Sequence, residues 1–509
     1  MARYKHYDYS QRVMIPVSLE EQLMPGTLEF AIHILVETRM DMSIFDERYH
    51  NDETGRTAYD PKVLLKVVLL AYSRGLISSR RIECACMENV TFMAMSCGQQ
   101  PDHSTIAAFV SSMKDEILPL FRDILLVCEE ENLLGGTFFA LDGCKLSSNA
   151  SMEYSGTIPN FKRKKEKIEK QVMQLIEEQV EEDKKDDEDG KDDGSSGISN
   201  RKKQVERLKK QSDRIESFLK ENGPKIGKQG KEIQSNITDN ESCKMVSSHG
   251  TIQGYNAQAL ADNKHQVILH AEAFGKAQDH YLIPPMLDSA KENIVVIGQS
   301  EDYFEEKILT ADSNYHDPTN LKKCDKEKLD AYIPDKRFRK RDPRFQGKQK
   351  GRSKNVDRLT LADFQHNEDT DEYCCPNGKT LKLKAKKAIM DGIIYRRYVA
   401  DKDDCKGCEF KIKCIRHKNA KRRMLNVPVG YVPGNLSKAM ADKIDSKRGR
   451  EIYHRRIAII EPVFANIRTH KRMDRFTLRG KTKVNIQWLL YCMVHNMGKI
   501  MAYGFTLGT

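Results

Sequence analysis

The sequence predicts an α/β protein with a mixed sheet, led by a helical region and broken by two insertions. Three observations carry that expectation. Residues 15–135 show apolar positions at helical spacing, with capping residues between them. From residue 137 onward, short apolar runs bounded by turn residues read as strands, and helical patterns follow them. Roughly 160–235 and 325–425 break this pattern, the first with charge and the second with basic residues and cysteines.

The chain has 509 residues, of which 39% are hydrophobic, enough for two to four domains and a sizeable core. Within the helical N-terminal domain, 1–135, Asp60 and Pro61 precede Leu64, Leu65, Val67, Val68 and Leu69. Asp60 can therefore cap a helix whose first position Pro61 takes. Pro101-Asp-His-Ser-Thr-Ile106 reads as a second helix start, with Asp102 or Ser104 as the cap. Short helices at this spacing suit DNA binding or dimerisation, and suit a plain helical bundle equally well.

Residues 136–324 hold the first part of the α/β core. Thr137-Phe-Phe-Ala-Leu-Asp142-Gly-Cys-Lys-Leu is an apolar run with an acid set into it, and it follows Gly135-Gly136. Gly254-Tyr-Asn-Ala-Gln-Ala-Leu and Gln266-Val-Ile-Leu-His-Ala-Glu-Ala read as two further strands, and 280–291 as a helix. Lys307-Ile-Leu-Thr-Ala-Asp312-Ser-Asn reads as a strand ending in a turn. Residues 426–509 supply a later helix and the remainder of the core.

The first insertion, 160–235, reads as a helical hairpin. Val205, Leu208, Ser212, Ile215 and Leu219 recur at three and four residues, as in a coiled-coil seam, and Ile168, Val172, Leu175 and Ile176 offer the partner face. The acidic run 181–198 between them is expected to be a disordered tip; the plainer reading is a solvated linker. The second insertion, 325–425, carries Cys374-Cys375-Pro-Asn-Gly, then Cys405-Lys-Gly-Cys408, then Cys414. Paired thiolates two residues apart grip a tetrahedral ion, and Gly407 permits the tight turn, so Cys375, Cys405, Cys408 and Cys414 are candidate Zn²⁺ ligands. Cys374 is a spare, His417 a weaker donor, and free buried thiols the alternative.

Charge points to a polyanion. The net charge is +11, yet residues 177–193 hold eleven acids and three lysines. Residues 322–354 carry fourteen Lys/Arg against five acids, and 411–483 twenty-one against five. Nucleic acid is the first inference. No apolar run of about 18 residues offers a membrane span. The odd count of thirteen cysteines, several in apolar helical patterns, reads as a reducing, cytoplasmic setting.

Three acids stand out by context. Asp142 lies inside a buried strand and Asp312 at a strand end. Glu461 lies in the otherwise apolar or basic segment Tyr453-His-Arg-Arg-Ile-Ala-Ile-Ile-Glu-Pro-Val-Phe-Ala-Asn-Ile-Arg468. A charge in an apolar strand is costly unless paired or bound to metal. Each acid has a plain alternative: a salt bridge to Lys145 for Asp142, a turn cap for Asp312, a buried ion pair for Glu461. Read together, Asp142, Asp312 and Glu461 form a carboxylate site for two hard divalent ions, Mg²⁺ or Mn²⁺, of the kind used in phosphoryl transfer. Tyr453, Arg456, Arg468 and Lys471 would then contact DNA phosphates beside it, with Arg456 alternatively neutralising a catalytic acid. Pro462 directly after Glu461 either kinks the helix or sets Glu461 at a helix start.

These blocks resemble the Asp-Asp-Glu (DDE) insertion-sequence transposases, in the group whose last acid lies in a Tyr-Arg-Glu-Lys signature. Tyr453, Arg456, Glu461 and Arg468 match it, with Arg in place of Lys and four residues between Arg456 and Glu461, one more than the commonest spacing. Leu141-Asp142-Gly, Gly254-Tyr-Asn-Ala-Gln and Ala311-Asp312-Ser match the other blocks, and Tyr59-Asp-Pro-Lys-Val-Leu-Leu-Lys and Pro101-Asp-His-Ser-Thr-Ile the N-terminal domain. The resemblance implies an RNase H-like catalytic core and metal-dependent cleavage and strand transfer at terminal inverted repeats. It also implies a homodimer on double-stranded DNA, both transposon ends and target, and a nucleoid-associated location when bound. A catalytically inactive DNA-binding regulator and a host nuclease of the same fold are the competing readings.

Overall fold

The computed structural model describes residues 18–49, 57–189, 195–227, 230–247, 250–345, 359, 361–390, 393–415, 417, 419–428 and 435–504. Helices α1 (Leu28–Thr38), α2 (Pro61–Ser73), α3 (Ser79–Glu88), α4 (Val90–Met95), α5 (His103–Ser112) and α6 (Ile117–Glu130) come first. The expected caps form: Asp60 accepts from the Lys62 amide with Pro61 in the first turn, and Asp102 accepts from the amides of Ser104 and Thr105. Every residue of α2 from Val63 to Tyr72 is buried, so this helix is enclosed on all sides. Lys66 lies among them, and its ammonium reaches Glu37 at 2.7 Å, which offsets the cost of burying it. Part of the enclosure is the chain's last helix: Tyr72 stacks on Tyr491 with ring centroids 4.8 Å apart. These helices share one apolar core with the central sheet, so the boundary drawn at residue 135 divides the chain but not the core.

Next come β1 (Phe138–Ser147), β2 (Ser155–Gly156), α7 (Ile158–Asp189), α8 (Ser195–Glu221), β3 (Ser235–Asn236), β4 (Cys243–Ser247), β5 (Gly250–Asp262) and β6 (Ile268–Phe274). Helix α9 (Ile283–Val296), β7 (Ile308–Ala311), α10 (Pro318–Lys326) and β8 (Asp330–Tyr332) follow. The central sheet runs β6, β5, β1, β7, β8, with β4 also paired to β5. Strand β5 is antiparallel to β1, β4 and β6, whereas β1–β7 and β7–β8 are parallel. Strand β5 packs so tightly on β1 that a Cβ at Gly254 would fall 2.1 Å from the Leu146 carbonyl oxygen, which only glycine avoids. The parallel register sets Leu141 opposite Ala311. The next residues therefore lie side by side, Asp142 still within β1 and opposite Ala259 of β5, Asp312 just past the end of β7.

Helices α7 and α8 form a hairpin around Phe161, Ile168, Val172, Ile215 and Phe218. The acidic run expected to be disordered continues as helix to Asp189 and again from Ser195; residues 190–194 lie outside the described ones. After α11 (Phe338–Arg341), strands β9 (Gln365–Asn367), β10 (Glu372–Cys374), β11 (Thr380–Met390) and β12 (Ile393–Ala400), helix α12 (Lys411–Cys414) and β13 (Met424–Pro428) follow. Of the cysteines here, only Cys374 lies in a strand; Cys375, Cys405 and Cys408 are in loops and Cys414 in α12, beside a full antiparallel sheet in the order β9, β10, β11, β12, β13 with its own core of Phe364, Leu381, Tyr398 and Leu425.

The chain ends in α13 (Asn435–Asp445), α14 (Lys447–Ala465), a π-helical turn over Asn466–His470 and α15 (Lys481–Tyr503). Helix α14 continues through Pro462, so Glu461 is not at a helix start. Proline has no N–H for the carbonyl four residues back. That carbonyl, of Ala458, instead receives the Gln266 side-chain amide at 3.0 Å. Pro462→Ala is expected to raise stability by about 1–3 kcal/mol by restoring the helix bond. Gln266→Asn tolerates the left-handed backbone there (φ 62°) but is one methylene too short. It should cost about 1 kcal/mol in the native chain and little in the Pro462→Ala background. Urea unfolding of the four proteins checks this; strictly additive effects would show that Gln266 does not serve the freed carbonyl.

Candidate active site

Strand β1, the turn after β7, the loop before α9 and helix α14 bring Asp142, Asp312, Asp279 and Glu461 to one open hollow of about 420 Å³, which Arg468 and Asp474 also line. Asp142 accepts from the Gly143 amide at 2.8 Å and from Arg456 of α14 at 2.5 Å. Burial pushes the Asp142 carboxyl up to about 6, and the charge of Asp312 adds to the rise against the pull of Arg456. Asp312 is also raised, by burial first and by Asp279. It caps a short turn as well, accepting from the Asn314 amide at 2.8 Å, so the plain reading of this residue is true without excluding the other.

Asp279 is the acid that sequence reasoning missed. It is buried, and one of its oxygens accepts from Asn256 at 2.6 Å and from Gln258 at 3.0 Å. Tyr315 in turn donates to Gln258. The signal was present: Asn256 and Gln258 alternate with apolar residues in β5, and buried amides need a polar partner. Gly143 makes room for them, because a Cβ there would fall 1.9 Å from the Gln258 amide nitrogen.

The expected phosphate contacts divide. Arg468 lines the hollow, and among the described residues it has no carboxylate partner; its Nε is buried without a hydrogen bond. Tyr453 is half-buried, edge-on to Phe338 at 5.3 Å and beneath the Arg456 guanidinium. Arg456 is buried against Asp142 and paired with its carboxylate. Lys471 is buried too, bonded to Asn466 at 2.5 Å, and burial pushes its pKa down to about 8. Lys145 reaches the Val246 carbonyl at 3.0 Å and forms no salt bridge with Asp142.

Among the described residues no three His, Cys, Asp or Glu side chains are gathered closely enough to hold a metal ion. By chemistry the acids of the hollow still fit a hard divalent cation: they are oxygen donors, and the charge of Asp312 on Asp142 and that of Asp279 on Asp312 is a repulsion that a cation would relieve. Cys375, Cys405, Cys408 and Cys414 line a separate small cleft. The Lys379 amide lies 3.4 Å from the Cys375 sulfur, and the Asn377 amide 3.6 Å from that of Cys408. Cys374 is not part of that lining.

Residues 374–501 match a family model described as Transposase DDE domain, and residues 17–112 one described as Transposase domain (DUF772). These matches support a transposase. The first spans the cysteine cleft, Glu461 and Arg468, whereas Asp142, Asp279 and Asp312 lie outside it. No curated protein matches the chain. No helix among the described residues is long and apolar enough to cross a membrane.

Proposed function

We propose that this transposase cleaves DNA at the terminal inverted repeats of an insertion sequence and joins it to a target, with Asp142, Asp312 and Glu461 as its catalytic acids. The observation that carries the reading is the parallel register of β1 and β7, which puts Asp142 beside Asp312 on the hollow faced by Glu461. The strand order, with one antiparallel wing and one parallel wing, supports an RNase H-like core.

Asp142, Asp312 and Glu461 would hold two divalent ions, Mg²⁺ or Mn²⁺, whose chemistry is to activate the attacking oxygen and to stabilise the leaving one. The protein's own part is positioning. Arg456 keeps Asp142 charged, the Asn256–Gln258–Asp279 network fixes the floor, and Arg468 offers a planar fork to a phosphate. The reading calls for two copies on a DNA complex. The test is incubation of purified protein with a duplex bearing the inverted repeats that flank its gene, with and without Mg²⁺. Metal-dependent nicking at the repeat boundary is expected; absence of any cleavage despite binding would favour a DNA-binding regulator.

Arg468→Ala should lower the slope of log affinity against log salt by roughly 0.9 and weaken all sequences about equally, as loss of one phosphate contact does. An unchanged slope in a salt titration would remove Arg468 from the interface.

The cysteine cleft suits a structural Zn²⁺. Cys414 is raised by burial first, and the neighbouring Cys405, Cys375 and Cys408 add to it, so four thiolates here need a cation. Elemental analysis should find one zinc per chain, lost in Cys408→Ser together with the order of the β9–β13 sheet but not of the central sheet. Protein purified without chelator and free of zinc would end this proposal.

A further inference from the structure

With Arg456 and Lys471 turned inward, the cations that meet DNA must lie elsewhere, and helix α8 offers a built row of them. Lys203, Arg207, Lys210 and Arg214 follow one another at four, three and four residues, so they share one helix face over about 16 Å. Together with Glu153, Tyr154 and Glu206 they line an open groove of about 620 Å³. The acids in it are outnumbered, and Glu206 is held by Lys210 at 2.6 Å. Lys203 and Arg207 are exposed and have no carboxylate partner among the described residues. The groove's floor is Tyr154, whose ring lies 5.2 Å from the Lys164 ammonium and 5.9 Å from the Arg214 guanidinium.

We propose that this row is a second phosphate-binding surface, which grips duplex DNA as it runs out from the catalytic hollow. The proposal rests on the transposase reading. Its placement comes from the hairpin root. Tyr154 ends the short turn that joins β1 to β2, and Ser147 of β1, Val246 and Ser247 wall the hollow. Ser155 at the root bonds Gln253 of β5 at 3.2 Å, and Asn149 bonds the Thr477 carbonyl at 2.8 Å. The groove is therefore tied to β5, which pairs along β1, the strand that carries Asp142. Evenly spaced cations along a rod fit the regular charge of a phosphate backbone, and Arg207 and Arg214 can each grip a phosphate with two bonds. The charge along the hairpin also reverses: α7 turns acidic from Glu177 outward, with nine acids and two lysines to Asp189. Phosphate would be repelled from the far end and drawn to the root. The rival occupant is that acidic end of a second copy.

The experiment is a salt titration of binding to a duplex of about 40 base pairs, long enough for several contacts at 3.4 Å per phosphate per strand. Full-length native protein is compared with Lys203→Gln/Arg207→Gln/Lys210→Gln/Arg214→Gln. Glutamine keeps helix propensity, and the buried seam of Ile215 and Phe218 is untouched, so thermal unfolding should be unchanged. The slope is expected to fall by about 3 to 4, at 0.9 per phosphate. A charge-preserving variant, Lys203→Arg/Arg207→Lys/Lys210→Arg/Arg214→Lys, should retain the slope. An unchanged slope in the glutamine variant overturns the proposal. So does an unchanged slope with lost self-association by light scattering, which would hand the groove to the acidic end of another copy. Native protein that binds DNA with a slope insensitive to the row sinks this inference alone. Native protein that binds no DNA sinks the transposase reading.

Discussion

Asp142→Asn and Glu461→Gln should each lower metal-dependent cleavage of end DNA by at least about a hundredfold, since removing even one preorganised electrostatic group has that effect in other enzymes. DNA affinity should stay within about twofold, because phosphate contacts come from other side chains. Each substitution keeps shape and removes charge, and each residue faces the hollow from a different element, β1 and α14. Band-shift titrations beside single-turnover cleavage separate the two effects. Near-native cleavage by either variant would move the chemistry away from this hollow. Asp279→Asn belongs in the same experiment: asparagine can still accept from Asn256 and Gln258, so a loss of rate there would show that its charge matters and not only its hydrogen bonds.

Arg456→Ala should destabilise the protein by about 3 kcal/mol, because it leaves the largely buried Asp142 carboxylate without its cation. Cleavage should fall with it, as a less charged Asp142 holds a cation less well. The salt slope of DNA binding should not change, because Arg456 is only 9% exposed. In the Asp142→Asn background the same substitution should cost much less, since the charge it answers is gone. Arg456→Lys should recover part of the stability through its point charge. Urea unfolding and salt titration of these variants check the assignment; a slope lowered by about 0.9 in Arg456→Ala would return this arginine to the DNA.

What could be read from the sequence depended on whether the signal was local. The caps at Asp60 and Asp102 need only their own next residues, and both form. Trp488 is just as local a case: it stands among the apolar Ile486, Leu489 and Leu490 and is fully buried. The strands around Asp142 and Asp312 were visible as apolar runs, but the register that joins them was not, since pairing across about 170 residues leaves no local trace. Asp279 sits in a short loop with no pattern of its own. Charge obscured the second sheet: Lys382 and Lys384 alternate with Leu381 and Leu383 in β11, a strand period that reads as a basic run when charge is counted. Charge also hid the direction of Arg456 and Lys471. A cation's sequence context gives its sign but not whether it faces a phosphate or a buried acid. Pro462 suggested a break because the rule is local, whereas the group that answers the freed carbonyl comes from Gln266, far away in the chain.

The packing of α2 against α15 bears on how such proteins can be recombined. Tyr72 and Tyr491 meet ring to ring, and among the described residues the core of the N-terminal helices is continuous with that of the sheet. Exchanging residues 18–130 for those of a relative would therefore juxtapose side chains selected against different neighbours. Cores tolerate new shapes only when the total volume is kept. The two matched segments, distant in the chain, are thus coupled through one seam, each substitution on one side restricting what the other side accepts.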